Sequence, residues 1–279
     1  MSARIAVVVV AFRSADVIPG LLDSLSAASR EPLELVVVDN SDIDDGLAET
    51  LRGRERTTLV PSPDNPGYGA AVNRALPHLG DAVRWVVVAN PDVVIEPGAI
   101  DTLVAAAERL PDAGAVGPLI RDATGEPYPS ARNVPSLRTG IGHALFVRVW
   151  PGNPWTARYR NDSLVEEREA GWLSGAFLLL SREAFEQIGG FDERYFMYFE
   201  DVDLGRRLTR AGWRNYYVPS ATVSHVGATS TRHVARSMIR VHHASAYRFL
   251  ADKYQGWYLF PLRATLRAAL WLRSRIVRG

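Results

Sequence analysis

Four short β-branched runs, Ile5 to Val10, Leu33 to Val38, Thr58 to Val60 and Trp85 to Ala89, constrain this 279-residue chain more than any other feature. Apart from Glu34 and Thr58 they are apolar rather than alternating, which reads as parallel strands buried on both faces. Helical patterns fall between them: Val17 to Ala28, entered through Ser14 and Asp16, then Leu47 to Arg54, then Gly69 to Leu79. This βαβα alternation predicts an α/β domain. A further helix is expected over Gly98 to Arg109 and a further strand at Ala115 to Pro118. From Arg121 to Arg168 the chain is rich in Pro, Gly, Asn and Trp and reads as loops over a binding face. Regular structure resumes with a strand at Ala176 to Leu180, a helix over Arg182 to Ile188, a turn at Gly189-Gly190, a helix through Leu208 to Ala211, and a strand at Tyr216 to Val218.

With 47% hydrophobic residues the chain can bury a sizeable core, as one large domain or two closely packed halves. The expected division is 1–115, 116–228 and a basic helical end, 229–279. There is no cysteine, which excludes disulfides and thiolate chemistry and fits a reducing compartment. The residues before Ile5 are too few for a signal peptide, and no apolar run reaches the roughly 20 residues that span a bilayer. Thr229 to Gly279 carries ten of the 32 basic residues and one of the 31 acids, so net +9 sits at that end against −8 elsewhere.

The segment Phe191 to Leu204 drives Glu200, Asp201 and Asp203 out of an aromatic cluster at the start of a helix. Apolar surroundings and neighbouring carboxylates raise proton affinity, which suits a general base, although acids at a helix N-terminus also serve as caps or dipole partners. Asp39 ends the second strand, where it can accept from a base N–H or ribose hydroxyl or cap the next turn. Asn65 to Arg74 is a tight turn feeding a helix, with Gly67 and Gly69 allowing close backbone approach to an anion. Asn90-Pro91-Asp92 places a carboxylate and an amide oxygen at a strand end, either a turn or part of a site for a hard cation. His225 follows a strand and offers an imidazole. The first strand ends in Ala11, Phe12 and Arg13 with no glycine fingerprint, which argues against a dinucleotide-dependent oxidoreductase.

Taken in order, Ala6 to Arg13, Val36 to Ser41, Asn65 to Arg74, Asn90 to Asp92, Gly171 to Gly175, Gly189 to Asp203 and His225 resemble the family 2 inverting glycosyltransferases of GT-A fold. Within that family, Gly117 to Asp122, Tyr128 to Arg132, Asn153 to Thr156, Gly171 to Gly175 and Phe191 to Leu204 resemble bacterial enzymes that add L-rhamnose to N-acetylglucosaminyl-diphospho-polyprenol. The resemblance implies a Rossmann-like, mostly parallel central sheet flanked by helices. It also implies a dTDP-rhamnose donor, a lipid-linked acceptor, and work on the inner face of the cell membrane. Asp39 and the stretch Ala11 to Arg13, with Asn65, Gly67, Asn73 and Asn90, fall where the nucleotide sugar is held. Asp92 falls where a divalent cation, Mg²⁺ or Mn²⁺, is bound, with His225 as a further ligand, and Asp201 where the base stands. Asn90 departs from the more general Asp-x-Asp of the family.

On that reading Asp201 takes the acceptor proton while Glu200 and Asp203 tune or orient it, and single displacement inverts the anomeric centre. Trp172, Tyr195 and Tyr198 offer faces for a sugar or fill the core; Ser174 and Gly175 lie beside them, and Arg132 and Arg194 are candidates for phosphate contacts. Pro261 to Arg278 carries Leu262, Leu266, Ala269, Leu270, Ile276 and Val277 on one helical face and Arg263, Arg267, Arg275 and Arg278 on the other, with Arg273 interrupting the apolar face. This is an interfacial membrane pattern, flanked by Trp257, Tyr258 and Trp271; the alternative is packing on the domain or a homodimer partner. The basic residues come without any nucleic-acid module, so no nucleic acid is expected. Other donors with the same chemistry, and a non-catalytic nucleotide-sugar-binding scaffold, are the competing readings.

Overall fold

The computed structural model describes residues 3–136, 165–225 and 235–276. The four apolar runs form strands β1 (Ile5–Ala11), β2 (Leu33–Asp39), β3 (Thr57–Pro61) and β4 (Trp85–Ala89). They lie parallel in the spatial order β3-β2-β1-β4. Helices α1 (Ile18–Ala28), α2 (Leu47–Leu51) and α3 (Tyr68–Ala75) fall between them in the chain. Every residue of β1 is buried. Ile5, Val7 and Val9 join one apolar cluster with residues of α1 and α4 (Ala99–Arg109), while Ala6, Val8 and Val10 join the other with residues of α3. Coverage on both sides explains the unbroken valines, each contributing about 1.5–3 kcal/mol when fully buried.

Beyond β4 the sheet is mixed. It continues through β5 (Val93–Ile95), β6 (Ala113–Arg121), β11 (Phe177–Ser181) and β12 (Arg214–His225) in the order β4-β11-β6-β12-β5. Strand β11 runs antiparallel to both β4 and β6, and β12 runs parallel to β6 but antiparallel to β5. Short strands β7 (Pro127–Tyr128) and β9 (Arg168–Ala170) pair onto β6 and β12, while β8 (Ala131–Arg132) and β10 (Trp172–Leu173) form a separate two-stranded sheet. Helices α5 (Arg182–Gln187) and α6 (Glu200–Arg210) bring Phe185, Leu204 and Leu208 into the second cluster, and α7 (Ala235–Lys253) and α8 (Phe260–Ile276) follow.

Several elements differ from the expectation in instructive ways. Helix α2 stops at Leu51 rather than Arg54, because Arg52 leaves the helical region (ψ 132°) and Gly53 takes φ +77°. The third helix ends at Ala75 and passes into a 3₁₀ turn over Leu76–His78, where Pro77 has no N–H to continue the ladder. Strand β12 spans twelve residues rather than three, passing a register shift between Val218 and Thr222 that contains Pro219. Tyr195 is fully buried in a cluster with Val202 and Phe249, so it belongs to the core.

At the C-terminal end α8 lies along α7. Leu262 and Leu266, expected on a free apolar face, are half-buried, and Arg263 donates to the carbonyls of Tyr254 (2.7 Å) and Gly256 (2.8 Å). The exposed side instead carries Phe260, Ala264, Ala268 and Trp271, preceded by exposed Trp257 and Tyr258. No helix among the described residues is long and apolar enough to cross a membrane. Asn153 to Thr156, Val277 and Arg278, and the side chains of Ala269, Leu270, Arg273, Arg275 and Ile276, lie outside the described residues.

Candidate active site

Parallel pairing sets Ala11 opposite Asp39 and Val9 opposite Ala89, so the C-terminal ends of β1, β2 and β4 make one rim. Because β11 runs the other way, with Phe177 opposite Ala89, its N-terminal end reaches the same rim, and the Asn90 amide donates to the Ala176 carbonyl at 2.8 Å. Two groups of side chains assemble there.

The first is Asp92, His225 and Asn90. Pairing of β12 with β5 sets His225 opposite Val93. His225 Nε2 then lies 3.0 Å from Asp92 Oδ1 and 3.3 Å from Asn90 Nδ2. One carboxylate and one imidazole face the same space, a donor set that fits a hard divalent cation whose other positions are filled by phosphate and water. Among the described residues no cluster of three or more His, Cys, Asp or Glu groups forms a fuller protein cage.

The second group surrounds Asp201. Its Oδ2 accepts from the Gly175 amide at 3.1 Å and its Oδ1 from the Val202 amide at 2.8 Å. Burial raises its proton affinity, opposed by those amides and by the charge of Arg132. Glu200 is raised too, by burial and then by the Asp201 charge. The two differ in one respect: Glu200 Oε2 is buried without a hydrogen-bond partner among the described residues. A carboxylate so placed retains its proton, leaving Asp201, with two amide donors, as the member that ionises.

Tyr68 connects the groups. Its hydroxyl donates to the Gly175 carbonyl at 2.7 Å. Burial, then the acidic side chains around it, hold its phenol protonated well beyond the ordinary range. This residue was not singled out from sequence, although it sits between the two glycines of the Asn65 to Arg74 turn. The turn itself packs on the carboxylate segment: a Cβ on Gly67 (φ +102°) would stand 2.3 Å from the Phe196 oxygen, and the Tyr68 amide donates to that oxygen at 2.9 Å. Asn73 bonds both backbone groups of Phe191, each at 2.9 Å, and reaches Glu193 at 3.0 Å.

Other expected residues are placed as follows. Asp39 Oδ1 accepts from the Ser41 amide at 2.9 Å, and Asn65 Oδ1 from Asn40 Nδ2 at 3.2 Å. Ala11 is buried, Phe12 is exposed, and Arg13 pairs with Asp42 at 2.8 Å. Across the rim, the β8–β10 pair sets Arg132 opposite Trp172, with Trp172 Nε1 donating to the Asn133 carbonyl at 3.1 Å. The Ser174 amide bonds the Ser130 carbonyl at 2.7 Å. Tyr198 is half-buried with its ring edge-on to His242. Two residues point elsewhere. Asp203 is bound by Arg207 at 2.5 Å, which also holds the Ile188 and Gly190 carbonyls, and Arg194 is taken up by Asp192 and Asp252 at 2.6 and 2.7 Å.

A cavity of about 560 Å³ is lined by Ala3, Glu34, Arg56 to Thr58 and Gly80 to Ala82. It lies at the N-terminal ends of the strands and contains none of these groups, whereas open α/β sheets bind ligands at the opposite ends.

The profile of glycosyltransferase like family 2 matches residues 3–243. N-acetylglucosaminyl-diphospho-decaprenol L-rhamnosyltransferase of Mycobacterium tuberculosis is 50% identical to this chain over 266 residues, covering 92% of the chain and 87% of its own length. Rhamnosyltransferase WbbL of Escherichia coli is 28% identical over 253 residues, 88% of this chain and 92% of its own. Among solved structures, the mannosyltransferase PcManGT of Pyrobaculum calidifontis, in complex with GDP-Man and Mn²⁺, aligns with a TM-score of 0.57 at 21% identity, covering 100% of this chain and 77% of its own. The mixed sheet, the rim and these matches together make the chain a family 2 glycosyltransferase with the GT-A fold.

Proposed function

We propose that the protein transfers L-rhamnose from dTDP-β-L-rhamnose to a polyprenyl-diphosphate-linked N-acetylglucosamine with inversion. The observation that carries this reading is the assembly of Asp92 and His225 with the Asp201 group on one rim, joined by Tyr68. The extensive identity with the mycobacterial rhamnosyltransferase supports the choice of sugar and acceptor.

Residues 1–115 form the donor half, 116–228 the acceptor and base half, and 229–279 the membrane-facing end. The rim from Ala11 to Arg13, with Asp39, Asn65 and Asn90, receives the nucleotide. Asp92 and His225 hold Mg²⁺ or Mn²⁺, which when bound supplies charge neutralisation for the leaving diphosphate. Asp201 takes the proton from the acceptor hydroxyl, and Glu200, holding its own proton, keeps the pair at one negative charge. Tyr68 is a positioning residue: it fixes Gly175, whose amide favours the ionised form of Asp201. Arg132, within electrostatic reach of Asp201, and Trp172 beside it line the acceptor side. Gly67 and Asn73 act by holding the carboxylate segment against the donor turn, and Asp203 and Arg194 by fixing its flanks. The exposed row of Trp257, Tyr258, Phe260 and Trp271, in a stretch with no acid beyond Asp252, suits the headgroup region of an anionic membrane.

The deciding assay is transfer from dTDP-β-L-rhamnose to lipid diphosphate-linked N-acetylglucosamine, with UDP-sugars in parallel and with and without Mg²⁺ or Mn²⁺. Metal-dependent rhamnosyl transfer is expected; turnover with another donor alone discards the substrate, and donor binding without turnover discards catalysis. Asp201→Asn removes the base and lowers kcat by about 10² to 10⁴-fold with donor Kd nearly unchanged; retained turnover moves the base role to Glu200 or Asp203. Because burial raises Asp201, turnover falls on acidification at a pH above about 4, the range of a free Asp. Tyr68→Phe moves that acidic limb further upward and lowers kcat by roughly 2- to 10-fold, the worth of one hydrogen bond, as read from kcat–pH profiles. Deleting residues from Pro261 onward weakens co-sedimentation with anionic vesicles more than transfer to a short soluble acceptor; equal loss of both marks a structural helix.

A further inference from the structure

The backbone that delivers Glu200 and Asp201 has an unfavourable shape. Tyr198 (φ 66°) and Phe199 (φ 69°) are consecutive non-glycine residues in the left-handed region, immediately before α6 begins. L side chains there crowd their own backbone, and neither residue has the short polar side chain that offsets this in Asn or Asp. Such a pair persists only where its surroundings over-determine it.

The surroundings are one face of α7. Ser245, buried, donates its hydroxyl to the Met197 carbonyl at 2.8 Å, the acceptor just ahead of the pair. His242 sets its ring edge-on to both Tyr198 and Phe199, with centroids 5.4 Å away in each case. Phe249, fully buried, lies 5.7 Å from the Phe199 ring and beneath the Arg206 guanidinium. Asp252 then accepts from Arg194 through its carboxylate at 2.7 Å and from Arg206 through its carbonyl at 3.1 Å. The spacings of three, four and three residues put 242, 245, 249 and 252 on one stripe of the helix. That stripe grips the chain ahead of the carboxylate pair at Arg194, Met197, Tyr198 and Phe199, and behind it at Arg206. Ser245, Phe249 and Asp252 all lie past residue 243, where the family match ends.

We propose that α7 is a positioning element for the base: the stripe of His242, Ser245, Phe249 and Asp252 holds Tyr198 and Phe199 left-handed and so sets the direction in which α6 starts and Asp201 meets Gly175. The proposal rests on the reading of Asp201 as the base. The helix acts through the peptide and touches no substrate, so its loss is felt in the chemical step rather than in donor binding.

The test uses the full chain with Ser245→Ala and, separately, Phe249→Ala. Hydrogen exchange is followed over residues 196–204, where the Asp203 amide is bonded to the Phe199 carbonyl at 2.9 Å. Exchange in this segment is expected to accelerate by about tenfold or more in both variants, which corresponds to a local opening made easier. In parallel kcat falls by about 10- to 100-fold, the scale of a small misplacement of a reacting group, while donor KM and calorimetric donor Kd stay within about twofold. Unchanged exchange in a folded Ser245→Ala variant overturns the proposal, as does donor affinity falling in step with kcat, which marks general damage. Should Phe249→Ala not fold, Ser245→Ala decides, since it removes a single oxygen. A wild-type protein that shows no rhamnosyl transfer, with variants that still loosen 196–204, overturns the functional reading and leaves the brace standing.

Discussion

The pairing of β11 against β4 is the constraint on which the site depends. Four parallel strands would end in a rim served only by their own loops. Reversing the next strand brings the opposite end of a later segment to that rim, with Ala176 bonded to Asn90 and Gly175 beside it. Asp201 takes its position from the Gly175 amide as well as from Val202 in its own helix, so the carboxylate is tied to the sheet. The same logic holds at the far edge, where β5 and β12 pair in antiparallel fashion and bring His225 to Asp92. Two reversals build one surface, on which Asn90 and His225 meet although they lie 135 residues apart in sequence.

The electrostatics of the carboxylate pair follow from unequal solvation. Both groups are buried, and burial opposes charge on each. Asp201 finds two backbone amides, while one oxygen of Glu200 finds none among the described residues. Amide donors stabilise an anion without bringing a proton of their own, so charge settles on Asp201. The neighbouring phenol of Tyr68 remains a donor first because it is buried, and then because the acidic side chains around it oppose its ionisation.

Much of this was legible in the sequence. The valine runs announced β1, β2 and β4, since consecutive apolar positions such as Val36 to Val38 and Val86 to Val88 need cover on both faces of the sheet. The order of short motifs announced the family, and the family profile matches. Other features were hidden because they depend on partners distant in the chain. Nothing local in Phe177 to Ser181 says which way the strand runs. The strand expected at Tyr216 to Val218 runs on past Pro219 through a register shift and so carries His225 to the rim. Periodicity correctly found an amphipathic C-terminal helix but could not say which face α7 would cover. Tyr68 escaped notice because a tyrosine in a glycine-rich turn has no signature until its hydroxyl finds a carbonyl 107 residues away.

The contact at Gly67 has a consequence for how such a protein can change. With no room for a methyl group between Gly67 and the Phe196 carbonyl, and with Asn73 fastened to both sides of Phe191, the donor turn and the carboxylate segment move as one body. A loop graft into Asn65 to Arg74 would therefore displace the carboxylate segment as well. The small β8–β10 sheet has its own strand pairing but packs on α6, where a Cβ on Gly205 would stand 2.8 Å from the Gly171 carbonyl and 2.9 Å from Trp172. Each of these segments is therefore constrained by its neighbour, and replacing one demands a matching change in the other.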